Sequence, residues 1–416
     1  MKNLNEAYKY AQDYYQKRGV DTEQAMKKMQ DISISLHCWQ TDDIEGFELS
    51  ENLGGGGILS TGNFPGKARN IDEVKQDLSF VFSTLPGQHR LNLHAIYGDF
   101  KQKVERNEIS KENFTTWVDF AKQENIALDF NPTLFAHEKA QDGLTLASPK
   151  KEIRDFWIEH CKKSREIANY FGEELNTKAL CNIWIPDGLK DVPADRMGPR
   201  KRLKSALDEI LNADLKFVDD SVESKLFGIA SESYVVGSHD FYMNYTANSK
   251  AIPLLDMGHY HPTENVSDKL SAAGMFNDKI ALHLSRPVRW DSDHVIALNE
   301  EVMEVAKELV RNNQIKDTYI GLDFFDATIN RINGYVIGTR NVLKAFLFAN
   351  LFDHESLKKA QDNFDFTTLI TEFELAKSSP FSIVWDKYCL ANNIVLDNDL
   401  AEHLAKYTQK NINKRG

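Results

Sequence analysis

Ile252-Pro-Leu-Leu-Asp-Met-Gly-His259 is a short apolar run that ends in a carboxylate and an imidazole. It has the length and composition of a strand covered on both faces, and its last residues read as the turn that closes it. Three further runs share this design. Val222–Gly228 carries Glu223 and Lys225; Ile280–Ser285 carries His283 and is followed by Asp291-Ser-Asp293; Tyr319–Phe325 carries Asp323. Successive strand residues point to opposite faces, so Asp256 and His259 diverge on a regular strand and converge only where the chain bends. Four consecutive strand ends bearing carboxylates and imidazoles predict one shared site for two hard divalent cations.

Working outward, four more strand-like runs precede these: Ile32–His37, Leu91–Tyr97, Ile126–Asn131 and Leu180–Pro186. Helical periodicity fills the gaps. Asn70, with Glu73 three residues on, opens a helix that carries Val74, Leu78, Val81 and Leu85. Ser148-Pro149 opens a longer helix through Phe156, Trp157, Ile167 and Phe171, and Gly172 is its expected stop. Eight strands alternating with helices imply parallel pairing, and a closed (β/α)8 TIM barrel of the α/β class is the economical closure. The rival is a doubly wound open sheet, but no Gly-rich phosphate fingerprint follows the first strand. The expected organisation is an N-terminal helical extension over residues 1–30, the barrel over 31–350 and a C-terminal helical extension over 351–416. Such extensions either cover their own barrel or pack on a neighbouring subunit. The connection over residues 40–70 contains Gly54-Gly55-Gly56-Gly57 and has the length of an active-site lid. Thr61–Lys67 has the wrong spacing for a P-loop.

Composition narrows the class. The formal net charge of −12 repels phosphate backbones and excludes non-specific nucleic-acid binding. The cluster from Arg196 to Lys204 reads as a solvated helix start. Cys38, Cys161, Cys181 and Cys389 form no CxxC pair, which fits a reducing compartment better than a disulfide scaffold or a cysteine zinc site. The first residues are polar and no run of about eighteen apolar residues occurs, so a cytoplasmic protein with no membrane partner is expected.

The candidate ligands are Glu223, Asp256, His259, His283, Asp291, Asp293 and Asp323, with Asp326 a rival to Asp323. Carboxylate oxygen and imidazole without thiolate favour Mn²⁺, Mg²⁺ or Co²⁺ over structural zinc. The competing reading is an ion-paired barrel rim. Against it, five gathered carboxylates repel one another unless cations neutralise them. Lys225 lies on the same side of its strand as Glu223 and is placed to donate to a substrate oxygen or to pair with an acid. His94 ends the second strand as a sugar-binding ring or a core histidine. Trp39, Phe130 and Trp184 end the first, third and fourth strands, where aromatic walls suit a sugar face.

Several stretches go beyond a generic barrel: Leu36-His-Cys-Trp-Gln40, Thr61-Gly-Asn-Phe-Pro-Gly-Lys-Ala-Arg69, Leu91-Asn-Leu-His-Ala-Ile-Tyr97, Trp184-Ile-Pro-Asp-Gly188, Val222–Gly228, Arg286-Pro-Val-Arg-Trp-Asp-Ser-Asp-His294 and Gly321-Leu-Asp-Phe-Phe-Asp326. With them the chain resembles the L-rhamnose isomerase family, within the wider xylose-isomerase-like barrels, nearly end to end. The resemblance implies a homotetramer that interconverts L-rhamnose and L-rhamnulose by a metal-assisted 1,2-hydride shift. It assigns Glu223, Asp256, His283 and Asp323 to a structural ion, and His259, Asp291 and Asp293 to a catalytic one. Both are expected to be Mn²⁺, with Zn²⁺, Co²⁺ or Mg²⁺ as alternatives at one position. It gives Lys225 the substrate's carbonyl end and His94 the region of its ring oxygen, and the O2 proton is expected to go to a water or hydroxide on the catalytic ion, held by Asp291 or Asp293. Ile44 and Ile96 are candidates to line the 6-methyl group. The alternatives are another metal-dependent aldose isomerase or sugar epimerase, a non-catalytic sugar-binding protein, and a nuclease.

Overall fold

Eight parallel strands close into a barrel: β1 (Ile34–His37), β2 (Arg90–His94), β3 (Ala127–Asn131), β4 (Ala179–Trp184), β5 (Val218–Glu223), β6 (Ile252–Asp256), β7 (Ile280–Leu284) and β8 (Thr318–Leu322). Each strand pairs with its sequence neighbours, and β1 closes the ring on β8 through Ile34 opposite Ile320. The computed structural model describes residues 2–49, 58, 60–226 and 232–415. The Gly54–Gly57 run expected to act as a lid lies outside the described residues.

The expected strands are present with shifted ends. The largest shift is in β5, which begins at Val218 and stops at Glu223 instead of running over 222–228. The added residues include the acids Asp219 and Asp220. They sit in the strand because cations from other elements meet them: Lys178 and Lys279 for Asp219, and Arg165 for Asp220.

Helix Ile71–Ser83 is capped as its sequence predicts, with the Glu73 amide donating to Asn70 Oδ1 at 2.9 Å. The reciprocal bond is displaced by one residue, since Glu73 Oε2 accepts from the Arg69 amide at 2.8 Å. The long helix runs over Lys151–Glu174, so Gly172 does not stop it. Gly172 is needed for close approach: a Cβ there would lie 2.2 Å from the Phe217 carbonyl oxygen, at the entry to β5.

Both terminal extensions join the barrel's core. Tyr8, Ala11 and Tyr15 of helix Lys2–Gln16 are buried in one apolar cluster with Trp385 and Tyr388 of helix Phe381–Ala391. Helix Phe366–Lys377 differs, with no buried residue and with Phe366 and Ile370 exposed. Among the described residues, no helix is long and apolar enough to cross a membrane.

Candidate metal centre at the barrel mouth

The C-terminal ends of the strands surround a cavity of about 550 Å³. Glu223 ends β5, Asp256 ends β6, His283 is the penultimate residue of β7 and Asp323 follows β8. In register, Asp256 faces His283 and His283 faces Gly321. The parallel ladder therefore stacks the donors side by side, as strand ends at this face of a barrel do. A turn of 3₁₀ helix, Met257–His259, bends the chain after β6 and brings His259 back to the same place. An antiparallel hairpin, Arg286–Val288 with Trp290–His294, carries Asp291 and Asp293 over it.

The donor atoms fall into two groups, Glu223, Asp256, His283 and Asp323 in one and Asp256, His259 and Asp291 in the other, with the atoms of each group within 4.8 Å of one another. His283 Nδ1 lies 3.2 Å from Glu223 Oε1, 3.4 Å from Asp323 Oδ2 and 3.7 Å from Asp256 Oδ2. His259 Nδ1 lies 3.5 Å from Glu223 Oε1, and its Nε2 lies 3.2 Å from Asp291 Oδ2. The first group is the set expected for a structural ion. The second departs from expectation: Asp256 contributes to both groups, and Asp293 stands beside the second at the cavity wall. Asp326, the rival of Asp323, lies farther out, where its Oδ1 accepts from the Thr328 amide at 2.8 Å.

Gly258 makes this packing feasible. Its amide donates to Asp256 Oδ1 at 2.6 Å, and a Cβ on it would lie 2.6 Å from Asp291 Oδ1. Asp256 Oδ2, His259 Nδ1, Asp291 Oδ1, Asp293 Oδ1 and Asp323 Oδ1 are buried, and no hydrogen bond reaches them. Burial pushes Asp256 up to about 7, with Glu223 and Asp291 adding repulsion against the opposing pull of His259. Burial likewise holds Asp293 and Asp323 well above the ordinary carboxylate range. Burial alone would lower His283, but Glu223 beside it lifts the imidazole to about 9. Hard oxygen and imidazole donors, gathered and buried, with several atoms that no hydrogen bond reaches, fit divalent cations.

Trp39, His94 and Trp184 also line the cavity. His94 stacks on Trp39 with ring centroids 4.3 Å apart, and its Nδ1 lies 3.3 Å from Thr133 Oγ1. Burial keeps this imidazole well below its usual value, so the ring is neutral.

Four expected substrate contacts are not at the cavity. Phe130 points outward, packing edge-on against Phe114 and Phe171. Its register explains this, because Phe130 pairs with Leu93 while the inward-facing His94 pairs with Asn131. Ile96 packs against Gly46, and Ile44 is buried in the same loop core. Lys225 forms a buried ion pair with Glu232 and donates to the Pro186 carbonyl at 2.9 Å. Apolar wall comes instead from Ile58, Phe135 and Phe325, and polar wall from Asn131 and Asn182. Phe135 and Phe325 lie only four and three residues past the ends of β3 and β8, so strand-end position was a usable signal.

The model for the L-rhamnose isomerase family matches residues 2–415. An L-rhamnose isomerase of Listeria monocytogenes serovar 1/2a is 49% identical over 414 residues, 99% of each chain. One from Enterobacter sp. (strain 638) is 46% identical over 415 residues, again 99% of each. Among solved structures, D-psicose 3-epimerase from Clostridium cellulolyticum H10 aligns with a TM-score of 0.50 at 12% identity, covering 76% of this chain and 98% of that one. At that identity the likeness shows the barrel fold alone.

Proposed function

Because the chain belongs to the L-rhamnose isomerase family, whose members are aldose–ketose isomerases, we propose that it interconverts L-rhamnose and L-rhamnulose at two divalent-cation positions by a 1,2-hydride shift. The observation that carries this reading is the gathering of five carboxylates and two imidazoles around one cavity, with buried oxygens that no donor reaches. Glu223, Asp256, His283 and Asp323 would hold one ion. His259 and Asp291, with Asp256 and Asp293 beside them, would hold the other, and Mn²⁺ is the expected species. Bound divalent cations supply electrophilic assistance, polarising a carbonyl and easing ionisation of a neighbouring hydroxyl.

The chain's own groups do the rest. His94, neutral and braced by Trp39 and Thr133, presents its ring to the sugar near the ring oxygen. Asp291 and Asp293 line the cavity, and either would hold the water or hydroxide that takes up the O2 proton. Trp39, Trp184, Phe135 and Phe325 enclose the sugar and exclude water, which favours transfer of hydride between C2 and C1 over exchange with solvent. Lys225 acts at a distance: its charge favours the Asp291 carboxylate, while Glu232 and Pro186 hold its ammonium. The exposed apolar helix Phe366–Lys377 supports assembly of several copies, a homotetramer being the proposed one.

The test is ketose formation from L-rhamnose before and after EDTA, with Mn²⁺ added back. Loss and recovery of turnover are expected; activity that survives complete metal removal overturns the reading. Substrate deuterated at C2 should give product that retains the label at C1, whereas wash-out into solvent replaces the hydride shift with an enediol route. Turnover compared across L-rhamnose, L-lyxose and L-mannose should favour L-rhamnose.

A further inference from the structure

We infer that Asn182, itself oriented by Ser221, is the positioning residue that limits Glu223 to a single ligating oxygen at the cation position it shares with Asp256, His283 and Asp323. The inference rests on the cation-dependent reading above. In the β4–β5 ladder Asn182 lies opposite Ser221, and Trp184 lies opposite Glu223. Side chains two residues apart on a strand share a face, so all four point into the barrel. Asn182 Nδ2 donates to Glu223 Oε2 at 2.6 Å, and Ser221 Oγ donates to Asn182 Oδ1 at 2.9 Å. Asn182, Ser221 and Glu223 are 2%, 0% and 3% exposed, so water does not compete for these bonds.

The chain of bonds has one direction. Turning the Asn182 amide over would set its carbonyl oxygen against the Glu223 carboxylate, two acceptors at hydrogen-bond distance. Both carboxylate oxygens of Glu223 are acceptors, and the one that receives the Asn182 N–H is Oε2. A bond from an amide to a buried carboxylate is a strong one, and it occupies Oε2.

The remaining oxygen, Oε1, faces both imidazoles, at 3.2 Å from His283 Nδ1 and 3.5 Å from His259 Nδ1. His283 belongs to one donor group and His259 to the other. A carboxylate free to turn about its last torsion can offer a different oxygen to each of two ions. Asn182 removes that option and leaves Oε1 as the oxygen that Glu223 offers to the group of Asp256, His283 and Asp323. Groups that orient ligands in this way change metal affinity by about 10–100-fold when removed.

The experiment titrates Mn²⁺ into metal-stripped protein by calorimetry and records the electron paramagnetic resonance spectrum of the loaded protein. It compares the natural sequence with Asn182→Leu, which keeps size and loses the donor, and with Ser221→Ala, which keeps Asn182 and frees its amide. The natural chain should take up two Mn²⁺ and give a reproducible spectrum of the loaded protein. Asn182→Leu should weaken binding at one of the two Mn²⁺ positions by about 10–100-fold and alter the spectrum, with the affinity of the other position unchanged. Ser221→Ala should move both readouts the same way by less, and it carries the test if Asn182→Leu does not fold. Natural affinity and an unchanged spectrum in the folded variants overturn the inference and leave the proposed function standing. A natural chain that binds no divalent cation takes down both.

Discussion

At the N-terminal end of the barrel, Asp129 accepts from Arg90 Nη2 at 2.7 Å and Nε at 2.8 Å, from Ser35 Oγ at 2.6 Å and from the Leu180 amide at 2.7 Å. Asp219, two strands away, accepts from Lys178, Lys279 and the Tyr319 hydroxyl. At the opposite end Asp256, Asp291, Asp293 and Asp323 each keep a buried oxygen without a donor, and the nearby Lys225 is engaged by Glu232. Both ends bury acids. One supplies the matching cations from its own side chains and so closes on itself. The other supplies two imidazoles for five acids, and the buried oxygens they leave without a donor stay open to cations that come from solution. A buried charge without a partner is costly, so a fold keeps such a cluster where function requires it.

The largest expected effect belongs to the unpaired end. Asp256→Asn removes the one carboxylate common to both donor groups. Isomerisation should fall by about 1000-fold, because the electrophilic contribution of bound cations is worth several kcal/mol. The same change relieves repulsion in the metal-free protein, so its melting temperature should equal or exceed that of the natural chain. A clear drop in metal-free stability would mean that Asp256 is a structural acid like Asp129. At the paired end the signs reverse. Arg90→Ala strands Asp129 with half its partners and should cost about 3 kcal/mol in denaturant unfolding, while the two-ion stoichiometry measured by calorimetry stays unchanged.

The difference between the two ends also governs what the sequence reveals. Glu223, Asp256, His259, His283 and Asp323 were legible because each stands at or just beyond the end of an apolar run, where strand-end position and side-chain chemistry agree. Lys225 was misplaced by parity. The two-residue rule puts it beside Glu223 only if the strand continues, and β5 stops at Glu223. Phe130 failed through the same rule, since the inward parity of β3 is set by its pairing with β2 and is invisible within its own segment. The start of β5 was missed because Asp219 and Asp220 are neutralised by residues that are remote in sequence. Asn182 and Ser221 carry no local signal at all, because their meaning is the bond across the ladder.

Gly258 gives a finer test of the unpaired end. Its backbone is not left-handed, so Ala is conformationally acceptable there, but the new Cβ would lie 2.6 Å from Asp291 Oδ1. Gly258→Ala should therefore displace Asp291 and weaken Mn²⁺ binding by about 10–100-fold, with a melting temperature of the metal-free protein close to that of the natural chain. Equal losses of metal affinity and metal-free stability would show that the turn itself had broken.

The smallest effect separates the two ends by pH. Burial raises the Asp219 carboxyl, but Lys178, Lys279 and Tyr319 outweigh it and hold the group below its ordinary value. A carboxyl whose folded value is depressed contributes stability that is fully present above the unfolded value of about 3.9 and is lost as pH falls through the folded one. Asp219→Asn should therefore show a deficit of about 1 kcal/mol that is constant from neutral pH down to about 5 and shrinks below about 4. Denaturant unfolding of both proteins across that range reads it directly. A deficit that grows on acidification would mean that Asp219 is held as the neutral acid, and that this end of the barrel is no better paired than the mouth.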